Sequence, residues 1–237
     1  MINILYDIHK GKVSDKWRLY LNEYDRLFSI YKDRLISLLE IGVQNGGSIE
    51  IWGKYFVNAN ILVGCDINPE CASLHYEDDR ISIVVGDITT SDTKEKILTR
   101  CQSYDIIVDD GSHRSPDIIK TFINYFGHLN NGGIYIVEDL HCSYWDIFGG
   151  GLSNPQSAIS FFKHLIDVIN YEHWGSGKRS DMISEYGIDE ELLSHIHSIE
   201  FVNSICIIKK MTPSKNVLGD RIIVGRDGRI CNMTPTK

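Results

Sequence analysis

Residues 104–113 read YDIIVDDGSH and residues 131–145 read NGGIYIVEDLHCSYW. Each stretch holds a short apolar run, Ile106–Val108 and Ile134–Val137, that ends in paired acids, Asp109/Asp110 and Glu138/Asp139. A histidine follows each pair, His113 after the first and His141 after the second. Short apolar runs bounded by turn residues are the pattern of strands buried on both faces of a parallel sheet. Set side by side, the runs gather these carboxylates and imidazoles at one sheet edge. Open α/β sheets bind ligands at that edge.

Working outward, Ser37–Ile41, Ile61–Asp66 and Ile81–Val85 predict three earlier strands, and Tyr104–Val108 and Ile134–Val137 a fourth and fifth. Helical stretches are expected between them: Ser48 to Phe56, one starting near Pro69, Thr93–Arg100, and one from Ser115-Pro116 to about Asn130. Ser115 suits a helix cap and Pro116 the first helical position. Strands alternating with helices imply βαβ units and a parallel sheet. After residue 140 the pattern changes to a loop with three consecutive glycines, then a helix over Gln156–Tyr171. His197–Phe201 and Ser204–Ile208 close the pattern as a hairpin. Ahead of the sheet, residues 15–36 predict an amphipathic helix. Its stripe of Trp17, Tyr20, Leu21, Tyr24, Leu27 and Phe28 suits core packing or dimerisation. Asp15 and Lys16, just before it, could cover a cofactor.

The expected organisation is a helical lead over 1–36 covering the cofactor site and a catalytic domain over 37–210. Within the latter, 138–187 form a lid or substrate insert; after it, 211–237 form a tail or a linker fragment of a longer polypeptide. The 237 residues suffice for a full hydrophobic core. Net charge is −8 with Lys and Arg scattered, which argues against nucleic-acid binding. The six cysteines form no C-x-x-C pair and read as reduced thiols in a cytoplasmic protein. No run approaches a membrane span, and the first residues lack the apolar core of a secretory signal.

The chemistry sits at the strand ends. Glu40 and Gly42, with Gly46 and Gly47, lie where the first strand meets the first helix, but without the glycine order of a dinucleotide fingerprint. An acid there disfavours a pyrophosphate and suits a cationic ligand head. Asp66 ends the second strand, where an acid takes ribose hydroxyls. Asp87 ends the third, within reach of an adenine amine. Asp110, Glu138 and Asp139 offer hard oxygen ligands to Mg²⁺ or a similar cation. His113, before a helix start that disfavours imidazolium, suits a general base. His141 suits an outer position or a substrate contact. Tyr144 and Trp145, with Phe148 and Trp174, could stack on a sugar ring or seal a lid.

The order LEIGVxxGGS, GCDINP, VGD, DDGSH and VEDLH resembles the class I S-adenosylmethionine-dependent methyltransferases. Within them it is similar to the metal-dependent sugar O-methyltransferases of the mycinamicin and macrocin kind, and to methyltransferase domains of bacterial polysaccharide glycosyltransferases. The likeness spans roughly residues 13–210. It implies an α/β, Rossmann-like seven-stranded sheet, mostly parallel with an antiparallel last strand and helices on both faces. It also implies that Asp110, Glu138 and Asp139 hold Mg²⁺ and that His113 is the base. Glu40, Gly42, Asp66, Asp87 and Asp109 would then line the S-adenosylmethionine site. Ser14-Asp15-Lys16 stands where the family often has Thr-Asp-Lys. The implied reaction is O-methylation of a sugar hydroxyl on a bacterial polysaccharide, O-antigen or capsule, or on a glycosylated metabolite. The implied partners are that acceptor and, further, a second copy of the chain or a glycosyltransferase. The alternatives are a catechol-like acceptor, which also chelates a metal through two oxygens, and a metal-dependent hydrolase or oxygenase on the same fold.

Overall fold

The structure is a computed structural model that describes residues 1–174 and 186–225. Its centre is a seven-stranded sheet built from β1 (Ser37–Ile41), β2 (Ile61–Asp66), β3 (Ile81–Val85), β4 (Tyr104–Asp109), β5 (Leu129–Val137), β6 (Ile196–Val202) and β7 (Ile205–Lys210). The spatial order is β3-β2-β1-β4-β5-β7-β6. β1 to β5 run parallel, and β7 lies antiparallel between β5 and β6. The predicted hairpin is therefore inserted last strand first, as a short two-residue connection allows and a parallel crossover does not. β5 is longer than expected because Leu129 pairs with Tyr104 ahead of the irregularity at Asn130–Gly133.

Period-two alternation sends neighbouring strand residues to opposite faces. One face carries Leu39, Ile41, Val63, Ile107, Tyr135 and Val137 against α4 (Ser91–Arg100), α5 (Ser115–Tyr125) and α6 (Ala158–Ile169). The other carries Leu38, Leu62, Ile106, Val108, Ile134 and Ile136 in one cluster with residues of α1 (Ile2–Ile8), α2 (Arg18–Phe28) and α3 (Gly47–Tyr55). Trp52 of α3 is fully buried, with ring centroids of Tyr24 at 5.1 Å and Phe28 at 5.3 Å. The tyrosines and phenylalanine of the predicted stripe thus do pack into the core, although that helix ends at Phe28 and residues 29–34 form turns.

Two local expectations are corrected. The residue near Pro69 opens only a short 3-10 turn, Pro69–Ser73. Ser115 is the first helical residue rather than the cap, and its buried hydroxyl has no partner. Arg114 stands at the cap position without a side-chain cap bond, and Ser112 ties the turn before it, accepting from the Arg114 amide at 3.2 Å and donating to Asp117 at 2.8 Å. Among the described residues, no helix is long and apolar enough to cross a membrane.

Candidate active site

The ends of β1, β4 and β5 meet the lead segment around one cavity of about 470 Å³. Gly42 makes the junction. It has φ +88°, and a Cβ there would fall 1.9 Å from the Asp110 carbonyl oxygen, so only glycine lets the chain after β1 pass under the β4 loop. Gly47 plays the same part for the lead: its amide donates to the Val13 carbonyl at 3.0 Å, and a Cβ would strike that oxygen. Val13, Ser14, Asp15, Lys16 and Trp17 therefore form one wall of the cavity, opposite Asp110, His113, Glu138 and Asp139.

Each acid at this edge is held through one side. Lys16 Nζ binds Asp110 Oδ2 and, at 2.7 Å, Glu138 Oε1. Tyr24 donates to the same Glu138 oxygen. Asp139 Oδ1 accepts from Tyr20 at 2.8 Å and from the Trp17 indole at 3.1 Å. The other oxygens turn to His113, whose Nε2 lies 3.9 Å from Asp110 Oδ1 and 3.7 Å from Asp139 Oδ2. Ligand atoms of Asp110, His113 and Asp139 all lie within 4.8 Å of one another. This trio differs from the expected Asp110, Glu138 and Asp139. Glu138 lines the cavity but is almost wholly buried, and one oxygen already serves Lys16 and Tyr24.

Backbone strain gathers at the same place. Gln44, His113 and Asp139, which line the cavity, have positive φ, as does Ser204 beside His141. Such conformations cost energy in residues with a side chain and persist where the surroundings fix them, commonly at functional sites.

The electrostatics follow from burial. Lys16 has a side chain only 2% exposed. Burial works against its ammonium, yet Glu138, Asp110 and Glu40 outweigh it and hold the lysine well above its ordinary range. Burial raises the Glu138 carboxyl, with Lys16 and Tyr24 opposing; an oxygen accepting from both is the arrangement of an ionised carboxylate. The Tyr24 phenol is held well above its ordinary value by burial and by Glu138, so it remains a donor.

On the cofactor side, Asp66 lines the main cavity and accepts from the amides of Gln44 and Asn68, both at 2.8 Å. A second hollow of about 190 Å³ adjoins it through Gly42, Asp66 and Gly111, and is lined further on by Asp87, whose Oδ1 accepts from the Thr89 amide at 2.8 Å. Two expected lining residues are absent from both hollows. Asp109 is 4% exposed, and its Oδ2 accepts from Tyr135 at 3.2 Å on the α5–α6 face of the sheet. Alternation along β4 decides this: Asp110 goes to the cavity, so Asp109 goes into the core. Burial pushes its carboxyl up to about 7. Glu40 is fully buried, with Oε1 accepting from the Trp52 indole at 3.1 Å and Oε2 without a partner.

His141 Nδ1 hydrogen-bonds Ser204 Oγ and lies 3.8 Å from Asp139 Oδ1, with the Trp145 ring edge-on at 5.1 Å. It lines, with Tyr144, a separate groove of about 420 Å³ between α6 and the β6–β7 turn. Trp145 is half exposed beside it. Trp174 is not at the site: its indole donates to the Asp167 carbonyl at 3.1 Å at the end of α6.

Sequence reasoning missed Tyr20 and Tyr24 as site residues, reading them only as core. A signal was present: two tyrosines one helical turn apart, in a stripe facing an acidic sheet edge. A buried phenol needs a partner for its hydroxyl, and phenylalanine would have served packing alone.

No family model matches the chain. It is 34% identical over 173 residues to the 8-demethyl-8-alpha-L-rhamnosyl tetracenomycin-C 2'-O-methyltransferase of Streptomyces olivaceus, covering 69% of this chain and 45% of that protein. It is 31% identical over 181 residues to the demethylmacrocin O-methyltransferase of Streptomyces fradiae, covering 71% of this chain and 45% of the relative. Among solved structures it is similar to the MycE methyltransferase from the mycinamycin biosynthetic pathway in complex with Mg and SAH. That match has a TM-score of 0.72 at 27% identity and covers 85% of this chain and 52% of the other. The chain spans about half the length of the relatives it matches.

Proposed function

Since the chain belongs to the class I S-adenosylmethionine-dependent methyltransferase family, we propose that it methylates a sugar hydroxyl, with Mg²⁺ or a similar hard cation at the acid edge. The acceptor is a glycosylated metabolite or a bacterial glycan. One observation carries the reading: His113 faces Asp110 and Asp139 at 3.7–3.9 Å across the wall of a cavity that continues past Asp66 to Asp87.

The residues fit both groups. Asp110 and Asp139 each keep one oxygen toward His113, and hard carboxylate oxygens are the donors Mg²⁺ takes. Glu138, which lines the same cavity, would complete the acid set. Asp66 and Asp87 line the adjoining hollows, where they would take the ribose hydroxyls and the adenine amine. A bound divalent cation would lower the pKa of a sugar hydroxyl resting on it.

His113 then takes that hydroxyl's proton at Nε2. The acceptor oxygen forms its bond to the methyl carbon as the carbon–sulfur bond breaks and its electron pair stays on sulfur. Cavity walls that fix the two reactants in line supply much of the acceleration. The strap at residues 13–17, which lines one side of the cavity, would cover the bound reactants there. The exposed rings of Tyr144 and Trp145 would offer stacking faces to the remainder of the acceptor.

The test is incubation of the protein with S-adenosylmethionine, Mg²⁺ and panels of deoxysugar glycosides, bacterial polysaccharides and catechols, read by mass. A gain of one methyl on a glycoside or polysaccharide supports the reading. A gain confined to catechols, or none with any acceptor, overturns it.

A further inference from the structure

Lys16 is an unusual group to find in a metal-binding edge. Its ammonium is buried and binds two of the three acids, Asp110 and Glu138. It does so from the side away from His113: Asp110 uses Oδ2 for Lys16 and keeps Oδ1 toward the imidazole. Tyr20 and Trp17 likewise hold Asp139 by Oδ1 and leave Oδ2 toward His113. A cation can therefore sit on Asp110 Oδ1 and Asp139 Oδ2 without displacing the ammonium.

Lys16 brings one positive charge against carboxylates that the cation would also use, so it lowers the negative charge of this edge by one. We propose that Lys16 sets that charge and so matches the acid cluster to a divalent ion rather than to one of higher charge. Lys16 is in this sense a specificity-determining residue for the cation, acting through Asp110 and Glu138. The inference rests on the metal part of the functional reading above. It also explains why the lysine is carried on the strap. The Lys12 amide donates to Glu50 Oε2 at 3.1 Å, His9 binds the Lys12 carbonyl at 2.7 Å, and Tyr6 meets Ser14 at 3.1 Å, so the ammonium is delivered from a tied segment.

The physical argument is Coulomb's law. Removing one positive charge near a bound ion favours that ion in proportion to the ion's own charge. A purely structural role for Lys16 would weaken binding of every ion when the lysine is lost. Charge setting instead changes the ratio between ions.

The experiment compares wild type, Lys16→Gln and Lys16→Arg in the full chain, with Mn²⁺ binding read by calorimetry and Tb³⁺ binding by sensitised luminescence. Lys16→Gln should bind Mn²⁺ about 10-fold and Tb³⁺ about 30-fold more tightly than wild type, moving the Tb³⁺-to-Mn²⁺ ratio about 3-fold. Lys16→Arg, which keeps the charge, should hold the wild-type ratio. If Lys16→Gln is unfolded without metal, the same ratio is read from the ion concentrations that induce folding. An unchanged ratio in Lys16→Gln, while wild type binds Mn²⁺, overturns this inference alone. No ion binding by wild type overturns the metal reading and this inference together.

Discussion

The Trp52 indole donates to Glu40 Oε1 at 3.1 Å, and the second oxygen of that buried carboxylate has no partner. Burial raises the Glu40 carboxyl, while the nearby Lys16 charge opposes the rise. A buried polar atom left without a partner costs energy that a bound cation can recover. Glu40→Gln keeps the acceptor for Trp52 and deletes the charge. It should leave the unfolding midpoint within about 1 kcal/mol of wild type and weaken S-adenosylmethionine binding about 10-fold, as measured by calorimetry. Unaltered affinity would remove Glu40 from the cofactor's surroundings.

His113→Ala is expected to fold and to bind cofactor and metal, and to lose about 10²–10⁴ in turnover, the range of a general base. The measurement is kcat with a saturating glycoside acceptor. Turnover within 3-fold of wild type would contradict the assignment of the base.

Treatment with EDTA should abolish methyl transfer, and added Mg²⁺ should restore it. Asp110→Asn and Asp139→Asn should each weaken divalent-ion binding by at least about 10-fold, since each supplies an oxygen toward His113. Full activity in chelator would end the metal assignment.

Tyr24→Phe removes one donor to the Glu138 carboxylate and leaves the aromatic contacts with Phe28 and Trp52 in place. A hydrogen bond to a charged group contributes about 1.5–3 kcal/mol. Urea unfolding should show a loss of that size. A loss near zero would mean that Lys16 alone satisfies Glu138.

Lys210, buried on β7, donates to the Gly127 carbonyl at 3.0 Å, and burial lowers its pKa. Between that lowered value and the ordinary lysine value of about 10.4, the unfolded chain binds more protons than the folded one. Stability should therefore rise with pH through that window. Lys210→Met should lack the rise, so the gap between the two urea midpoints should shift toward wild type as pH climbs from about 8 to about 10. A constant gap would show that Lys210 titrates as it does in the unfolded chain.

The sequence by itself determined the sheet and its chemical edge. β1, β2 and β3 fall where their apolar runs placed them, and Asp66, Asp87, Asp110, Glu138 and Asp139 all sit at strand ends, because strand period and turn residues are local signals. Tertiary structure decided which oxygen faces what. Alternation at the end of β4 turns Asp109 into the core against Tyr135 and Asp110 into the cavity, a choice of one residue in register that composition does not reveal. It also decided that Lys16, 94 residues before Asp110 in the chain, is the counter-charge of the acid edge. Local periodicity says nothing about contacts across that separation. They arise only when the lead crosses Gly47 and α2 packs Tyr20 and Tyr24 beneath the end of β5.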